Sequence, residues 1–318
     1  MNVGILIHPE ELTRRWIDRM AEGGVNTLGL HPKGGKGAAA SLKELLVRLQ
    51  TEEYRSLLDY AKGRGLQIEY RFHAAGYLLD RELFFSHPEY FRLNAAGERS
   101  PDWNFCPSNP EALALVCERA VELAERLYQS EPRYYFWLDD ARDAWCHCER
   151  CRGLSDSDQQ LLVLNAVLAA LRRKRPEAKL SYLAYFSSME PPRRIKPAEG
   201  IFLEYAPIDR WRKEEGGEFL LGAQREERMR PALLEFFGKA DATVLEYWLD
   251  NSLFSRWKHP PKPFVCDGAR VKADVKRYCQ EGFDHISTFG CFLGEEYEAL
   301  YGEADLGPFF EALHPRDE

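Results

Sequence analysis

The sequence lacks two features that would place it at a membrane or on a nucleic acid. No apolar run among its 318 residues approaches the roughly 20 residues needed to cross a bilayer. Basic residues are also in deficit, with 43 Lys and Arg against 51 Asp and Glu and a net charge of −8. Phosphate backbones and anionic lipid surfaces select a basic face, so we expect neither a nucleic acid nor a membrane as a partner.

The first residues contain no basic stretch followed by a long apolar one, so we expect no secretion signal. Eight cysteines are present, but their spacing is irregular and three of them are clustered. Small secreted proteins that depend on disulfide bonds show a denser and more regular pattern. We therefore expect a cytoplasmic protein with reduced thiols.

A low-complexity linker is also missing, as is any break in composition, so we expect a single domain over residues 1–318. Eight strand-like apolar runs alternate with helical patterns along it. They cover residues 3–9, 25–32, 66–74, 133–141, 179–188, 200–208, 243–252 and 283–292. Near-continuous apolar strands indicate a parallel sheet that is covered on both faces. Eight repeats within this length predict an α/β fold, a single (β/α)8 TIM barrel.

Barrels of this kind carry their chemistry at the carboxyl ends of the strands. Polar side chains end seven of the eight predicted strands. The set comprises His8, His31, His73, Asp139 with Asp140, Tyr185, Glu204 and Glu246. Any one of them could simply cap a loop, but together they predict a pocket.

Asp139 and Asp140 end the apolar run at residues 133–141. Cleavage of a glycosidic bond requires a carboxylic acid that protonates the leaving oxygen and a second group that stabilises the oxocarbenium-like centre. Two carboxylates held close together raise the pKa of one of them, which keeps that acid protonated near neutral pH. Neighbouring strand residues face opposite sides, so both reach a pocket only where the pleat breaks. The alternative is that one aspartate caps the next loop.

Glu204 and Glu246 lie inside apolar runs near strand ends, where an ionised carboxylate is costly without a partner or a role. Aromatic residues crowd the same segments. Aromatic faces suit sugar C–H groups, and the polar tips of Tyr and Trp supply hydrogen bonds, although core packing is the alternative. The candidates for substrate binding are His8, His31, His73, Trp137, Tyr185, Glu204, Tyr247 and Trp248.

A cysteine-containing loop at residues 141–157 follows the fourth strand. Cys146, Cys148 and Cys151 in this loop have C-x-C-x-x-C spacing, and two cysteines separated by two residues are common in zinc sites. A structural site takes four ligands, and either His147 or Cys106 could supply the fourth. A structural zinc, plain reduced thiols and a redox or disulfide role are the alternatives. No cofactor is expected for catalysis.

The combination of FCPSNPEA, a helix and FWLDDARDAWCHCERC resembles the bacterial glycosidase-like family called domain of unknown function 4838, over about residues 105–151. That family overlaps glycoside hydrolase family 163, whose characterised activity is endo-β-N-acetylglucosaminidase. The resemblance implies a (β/α)8 barrel and a retaining hydrolase for N-acetylhexosamine-containing glycans. It also implies substrate assistance, in which Asp139 orients the 2-acetamido group and Asp140 is the general acid/base. Related hexosaminidase barrels have Asp-Glu where this chain has Asp-Asp.

Three alternatives stay open. In a second hydrolase scheme, a fourth-strand carboxylate is the acid/base and Glu246 on the seventh strand is the nucleophile. In a metal-dependent isomerase or aldolase-like barrel, a divalent ion is held by imidazoles and carboxylates. The ligands would be His8, His31, His73, Asp139, Glu204 and Glu246. The third alternative is a non-catalytic carbohydrate-binding barrel.

Overall fold

In a computed structural model, which describes residues 1–139 and 141–313, eight parallel strands close into a barrel. They are β1 (Asn2–Ile7), β2 (Thr27–Leu30), β3 (Gln67–His73), β6 (Arg133–Trp137), β7 (Lys179–Ala184), β8 (Ile201–Tyr205), β9 (Thr243–Glu246) and β10 (His285–Phe289). The strands follow chain order around the barrel, and β10 pairs with β1. Two further strands, β4 (Phe91–Leu93) and β5 (Arg99–Phe105), form an antiparallel hairpin after β3. The predicted (β/α)8 barrel is confirmed.

Helices cover the outside of the barrel and bury their apolar faces against it. They are α1 (Arg14–Glu22), α2 (Ala38–Arg48), α3 (Glu52–Gly63), α4 (Ala75–Leu78), α5 (Pro110–Arg126), α6 (Asp156–Arg172), α7 (Asp209–Arg212), α8 (Gly217–Phe237), α9 (Asn251–Phe254), α10 (Gly268–Glu281), α11 (Glu295–Tyr301) and α12 (Gly307–Leu313). The connection from β7 to β8, all of it described, contains only a 3-10 turn at Phe186–Ser188 and no α-helix. Nowhere in the described part of the chain is a helix both long and apolar enough to cross a membrane.

Alternation along each strand decides which residues face the inside of the barrel. In β6, Tyr134 and Phe136 pack outward into the main core between strands and helices. Tyr135 and Trp137 belong to a second cluster inside the barrel. Successive strand residues point to opposite faces, and the same division runs through the other strands. The residues at the carboxyl end that face inward therefore meet around one opening.

Ion pairs occupy the barrel interior one layer below that opening. Arg71 on β3 is 2.8 Å from Glu69 and 2.9 Å from Glu204 on β8. The Nε1 of Trp137 donates to the other carboxylate oxygen of Glu204 at 2.7 Å. Buried charges are tolerated only when they are paired and hydrogen-bonded, and both conditions are met here. The network links β3, β6 and β8 and forms a floor beneath the strand ends.

Candidate active site

A cavity of about 540 Å³ opens at the carboxyl ends of the barrel strands. Its volume falls within the range of about 300–1,000 Å³ that is usual for small-molecule sites. Each barrel strand contributes a lining residue, either from its own end or from the residues just beyond it. These are His8, His31, His73, Trp137, Leu183, Tyr185, Ala206, Leu245, Tyr247 and Phe289, and loop residues including Lys33, Asp250, Ser252, Trp257, His259 and Phe292 complete the lining.

Three histidines on neighbouring strands have the same hydrogen-bonding arrangement. The Nδ1 of His8 lies 2.8 Å from the carbonyl oxygen of His31, and the Nδ1 of His31 lies 2.8 Å from that of Arg71. The Nδ1 of His73 lies 2.6 Å from the carbonyl oxygen of Leu138. A carbonyl oxygen only accepts hydrogen bonds, so Nδ1 carries the hydrogen in all three rings.

The ionisation of two of these rings follows from their burial. Burial lowers the pKa of His8 and lowers the pKa of His31 well below its usual value, so both are neutral near pH 7. A neutral imidazole that is protonated at Nδ1 has an accepting Nε2. His8 and His31 therefore give the cavity two acceptors that suit the hydroxyl groups of a ligand.

Aromatic rings form the walls of the cavity. Trp137 packs against His31 and His73 with ring centroids 5.5 and 5.2 Å apart, and Tyr247 packs against Phe289 at 5.3 Å. Such surfaces bind apolar ligand faces while their polar tips make hydrogen bonds. The cavity thus combines flat apolar walls with a small number of fixed polar groups.

Trp257 extends the aromatic lining to the rim, where it is 54% exposed. It has a φ of 54°, and the preceding Arg256 has a φ of 55°. Non-glycine residues rarely adopt this left-handed conformation because it crowds Cβ. The backbone amide of Trp257 donates to the carbonyl oxygen of Ser252 at 2.7 Å. This bond stabilises the backbone turn that carries the exposed indole at the cavity entrance.

Asp139 lies two residues beyond β6, the fourth strand of the barrel, beside the large cavity. It lines a smaller cavity that shares His73, Leu183 and Tyr185 with the large one. Arg81 forms an ion pair with the Asp139 carboxylate, whose side chain is 5% exposed. Asp140, the other member of the predicted pair, lies outside the described residues.

Glu204 does not line the cavity. It faces the barrel interior in the layer below, where it is fully buried against Arg71 and Trp137. Burial raises the pKa of the Glu204 carboxyl, and the Arg71 charge opposes that shift. Since Glu204 accepts from the Trp137 indole, it holds a wall residue of the cavity in place.

Glu246 lies on the other side of the barrel wall. Its neighbour Leu245 lines the cavity, so Glu246 points outward towards the helices. Arg210 and the indole Nε1 of Trp211 each bind one of its oxygens at 2.8 Å, and the Tyr278 hydroxyl donates as well. The six ligands considered for a divalent metal therefore do not converge.

Trp248 also lies away from the cavity. Its Nε1 donates to Asp274 at 3.1 Å, and its ring packs against Phe309 in the outer layer. Of the eight residues predicted to bind substrate, the structure brings six to one cavity, which are His8, His31, His73, Trp137, Tyr185 and Tyr247.

Asp250 lines the cavity and was missed by the sequence analysis. Its Oδ1 accepts from the backbone amides of Ser252 and Leu253, which caps α9. Burial raises the pKa of Asp250 to about 6. The signal in the sequence was Asp-Asn-Ser, a helix-capping pattern, but it lay within the predicted strand at 243–252.

Four cysteine side chains converge where the end of β5 meets the loop after β6. Cys106 follows β5, and the other three lie in the loop between β6 and α6. The sulfurs of Cys106, Cys146, Cys148 and Cys151 are all buried and lie within 4.8 Å of one another. His147, the other candidate for a fourth ligand, instead points to Asp143 at 3.3 Å, with a side chain that is 46% exposed.

Comparisons with known proteins give a family and a fold. The sequence model of the family described as "Domain of unknown function (DUF4838)" matches residues 46–215. A comparison with curated proteins finds no match in sequence.

Several solved structures share the fold. The β-galactosidase of the psychrophilic Marinomonas ef1 has a TM-score of 0.54 and 14% identity, over 91% of this chain and 54% of that one. The endo-β-mannanase/endo-β-glucanase of Prevotella bryantii has a TM-score of 0.52 and 10% identity, over 95% of this chain and 43% of that one. A broad-specificity endoglucanase from Bacteroides salanitronis has a TM-score of 0.51 and 13% identity, over 96% of this chain and 86% of that one. The chain spans about half the length of the first two.

Proposed function

Because this chain belongs to the DUF4838 family and has a fold shared with enzymes named as glycoside-cleaving, we propose that it is a glycoside hydrolase for N-acetylhexosamine-containing glycans. The observation that carries the proposal is the cavity at the strand ends, which joins aromatic walls to neutral imidazole acceptors. A sugar ring needs both, since its C–H faces are apolar and its hydroxyl groups donate hydrogen bonds. The acetamido preference rests on the sequence resemblance.

The proposed chemistry is retaining hydrolysis with the two fourth-strand aspartates. Arg81 keeps a positive charge against Asp139, which favours the ionised form of that carboxylate. An ionised Asp139 accepts a hydrogen bond from the N–H of the substrate's 2-acetamido group and turns the acetamido oxygen towards the anomeric carbon. Asp140 protonates the leaving oxygen and then activates water, as the general acid/base of this scheme.

Asp250 is an alternative proton donor in the cavity, and it would take the acid role if Asp140 does not. Its pKa of about 6 leaves roughly one tenth of this carboxyl protonated at pH 7 and about half at pH 6, whereas an ordinary aspartate is almost fully ionised at either pH. It follows β9, the seventh strand of the barrel, and lines the cavity from the same strand end at which the alternative scheme places Glu246 as the nucleophile. Glu246 binds Arg210 and Tyr278 on the outside of the barrel wall. In this proposal its role is structural, since it links β9 to the outer layer of helices.

The proposal is tested with aryl β-glycosides that carry or lack a 2-acetamido group. The wild type is expected to cleave only the acetamido substrates, because a substrate-assisted reaction uses the acetamido oxygen as its nucleophile. Replacing Asp139→Asn or Asp140→Asn should lower kcat by about 10²- to 10⁴-fold, the usual contribution of a positioned acid or base. Turnover that both variants retain would refute the assignment of the pair.

A matched control and two further outcomes sharpen this test. Asp267 is an exposed aspartate that caps α10 away from the cavity, so Asp267→Asn should leave kcat unchanged. Equal cleavage of glycosides without the acetamido group would favour a covalent enzyme intermediate instead. Binding of these sugars without turnover by the wild type would favour the non-catalytic carbohydrate-binding barrel.

A further inference from the structure

The four clustered cysteines have the spacing of ligands around a single small ion. The sulfur of Cys106 lies 3.7 Å from that of Cys148 and 3.9 Å from that of Cys151. A tetrahedral zinc with Zn–S bonds of about 2.3 Å places its sulfurs about 3.8 Å apart. A disulfide requires about 2.05 Å, and all four cysteines are free. A four-iron cluster would hold the sulfurs farther apart, because the cluster itself occupies the space between them.

Polar groups on neighbouring segments contact two of the four sulfurs. The backbone amide of Leu93 donates to the sulfur of Cys146 at 3.3 Å, and the Cys151 thiol donates to the Ser108 hydroxyl oxygen at 3.1 Å. Polar groups that donate to metal-bound thiolates are a regular part of such sites. Thiols that only fill a core need no convergence of four sulfurs on one point.

We propose that Cys106, Cys146, Cys148 and Cys151 bind one structural Zn²⁺, which ties the β4–β5 hairpin to the loop after β6. The four ligands fill the tetrahedral coordination of zinc and leave no open position, which is the arrangement of structural rather than catalytic sites. Binding replaces the thiol protons by the metal, so those protons are released to solvent.

The site has a consequence for the cavity because the same two segments meet again at Asp139. The amide of Asp139 donates to the Oδ1 of Asn104 at 2.8 Å, and Asn104 lies two residues before Cys106. On the loop, the amide and carbonyl of Cys146 are both bound by the side chain of Gln159 on α6. Zinc at the cysteines would therefore help to fix the backbone at Asp139, which lines the smaller cavity beside the large one.

Metal content tests this directly and needs no substrate, so its result is independent of the proposed glycosidase activity. The full chain, purified without chelators, should contain about one zinc per molecule by mass spectrometry, with four sulfur neighbours at about 2.3 Å by X-ray absorption. Cys148→Ser should lose most of this zinc. Cys117→Ser, which changes a half-buried cysteine on α5 outside the cluster, should keep it.

Removal of zinc from the wild type should also expose the tethered loop. After treatment with a thiol-reactive mercurial and a chelator, limited proteolysis should cut within residues 138–155, and added zinc with reductant should restore protection. Wild-type protein with far less than one zinc per chain, with iron in its place, or with oxygen and nitrogen neighbours in the absorption spectrum would overturn the proposal. These wild-type measurements decide the matter even if Cys148→Ser does not fold.

Discussion

Asp250 is the residue at which stability and activity are expected to oppose each other. Its carboxyl is buried, and the folded protein raises its pKa from 3.8 to about 6. A raised pKa means that the folded state loses stability as the pH rises from about 4 to 6, since ionisation then costs more in the folded than in the unfolded chain. Two pKa units correspond to about 3 kcal/mol at most.

We therefore predict that Asp250→Asn stabilises the protein at pH 7 by about 1–3 kcal/mol while lowering kcat by about 10²-fold or more. The asparagine keeps the Oδ1 that caps α9 and removes the ionisable group. Urea unfolding at pH 4 and pH 7 should show the gain only at the higher pH. Asp267→Asn serves as the capping control. An Asp250→Asn variant with wild-type kcat would remove this residue from the mechanism.

At the residue scale, the sequence predicts which residue types end the strands better than it predicts where they point. His8, His31 and His73 line the cavity as expected because each is the inward-facing residue at the end of its strand. Glu204 and Glu246 both lie near the end of an apolar strand, but Glu204 points into the barrel and Glu246 points outward to the helices. Successive strand residues alternate between the two faces of the sheet. In a run that is apolar at every position, the sequence does not show which alternate set points into the barrel.

At the scale of elements, all eight predicted strands are present, but several are shorter than expected. β9 ends at Glu246, whereas the prediction extended to residue 252. Apolar residues continue past the strand because Trp248 and Leu249 pack into the core from the loop. Periodicity reports burial and not hydrogen bonding, so it cannot separate a strand end from a buried loop.

The β4–β5 hairpin was missed for a related reason. Its second strand contains Pro101, and its residues are mostly half-buried or exposed, so it has no apolar run to recognise. A turn containing Gly97 with a φ of 84° joins the two strands. That hairpin carries Asn104 and leads into Cys106, so the part of the fold with the weakest sequence signal supports the candidate site.

The buried network joins β3 to β8 by an ion pair and β6 to β8 by the Trp137 hydrogen bond, and we predict that it stabilises the barrel. Glu204→Leu should lower the free energy of unfolding by about 3–5 kcal/mol, because it leaves the buried Arg71 with one carboxylate fewer and the Trp137 indole without its acceptor. Thermal and urea unfolding would measure the loss. The exposed Glu199 provides a matched control, and Glu199→Leu should change stability by less than about 0.5 kcal/mol.

A loss for Glu204→Leu no greater than that of the Glu199 control would mean that the interior network contributes nothing to the barrel. If the loss is large, activity measured well below the unfolding temperature should fall too. Trp137 is then free to turn away from the cavity wall. A stability loss with unchanged activity would mean that the buried network stabilises the barrel but does not support the cavity above it.

At the scale of the whole molecule, stability and chemistry occupy different layers. The main apolar core lies between the strands and the helices, whereas the inside of the barrel holds a small aromatic cluster and the ion pairs. The outer layer can therefore hold the fold together while the strand ends carry polar groups that would weaken a core. The eightfold repeat made this architecture predictable, but the cavity volume and the position of Asp250 depend on loops whose paths no repeat specifies.

The central claim is that the cavity at the strand ends binds and cleaves the sugar, and a crystal structure with a thiazoline analogue of N-acetylglucosamine tests it most directly. We predict that the pyranose ring lies in the cavity of about 540 Å³ against Trp137 or Tyr247, with hydroxyl groups bound to the Nε2 atoms of His8 and His31. The thiazoline nitrogen should extend past His73 and Tyr185 into the smaller cavity and lie next to Asp139. Binding of the analogue at another surface, or an empty cavity at millimolar concentrations of the analogue, would contradict the account.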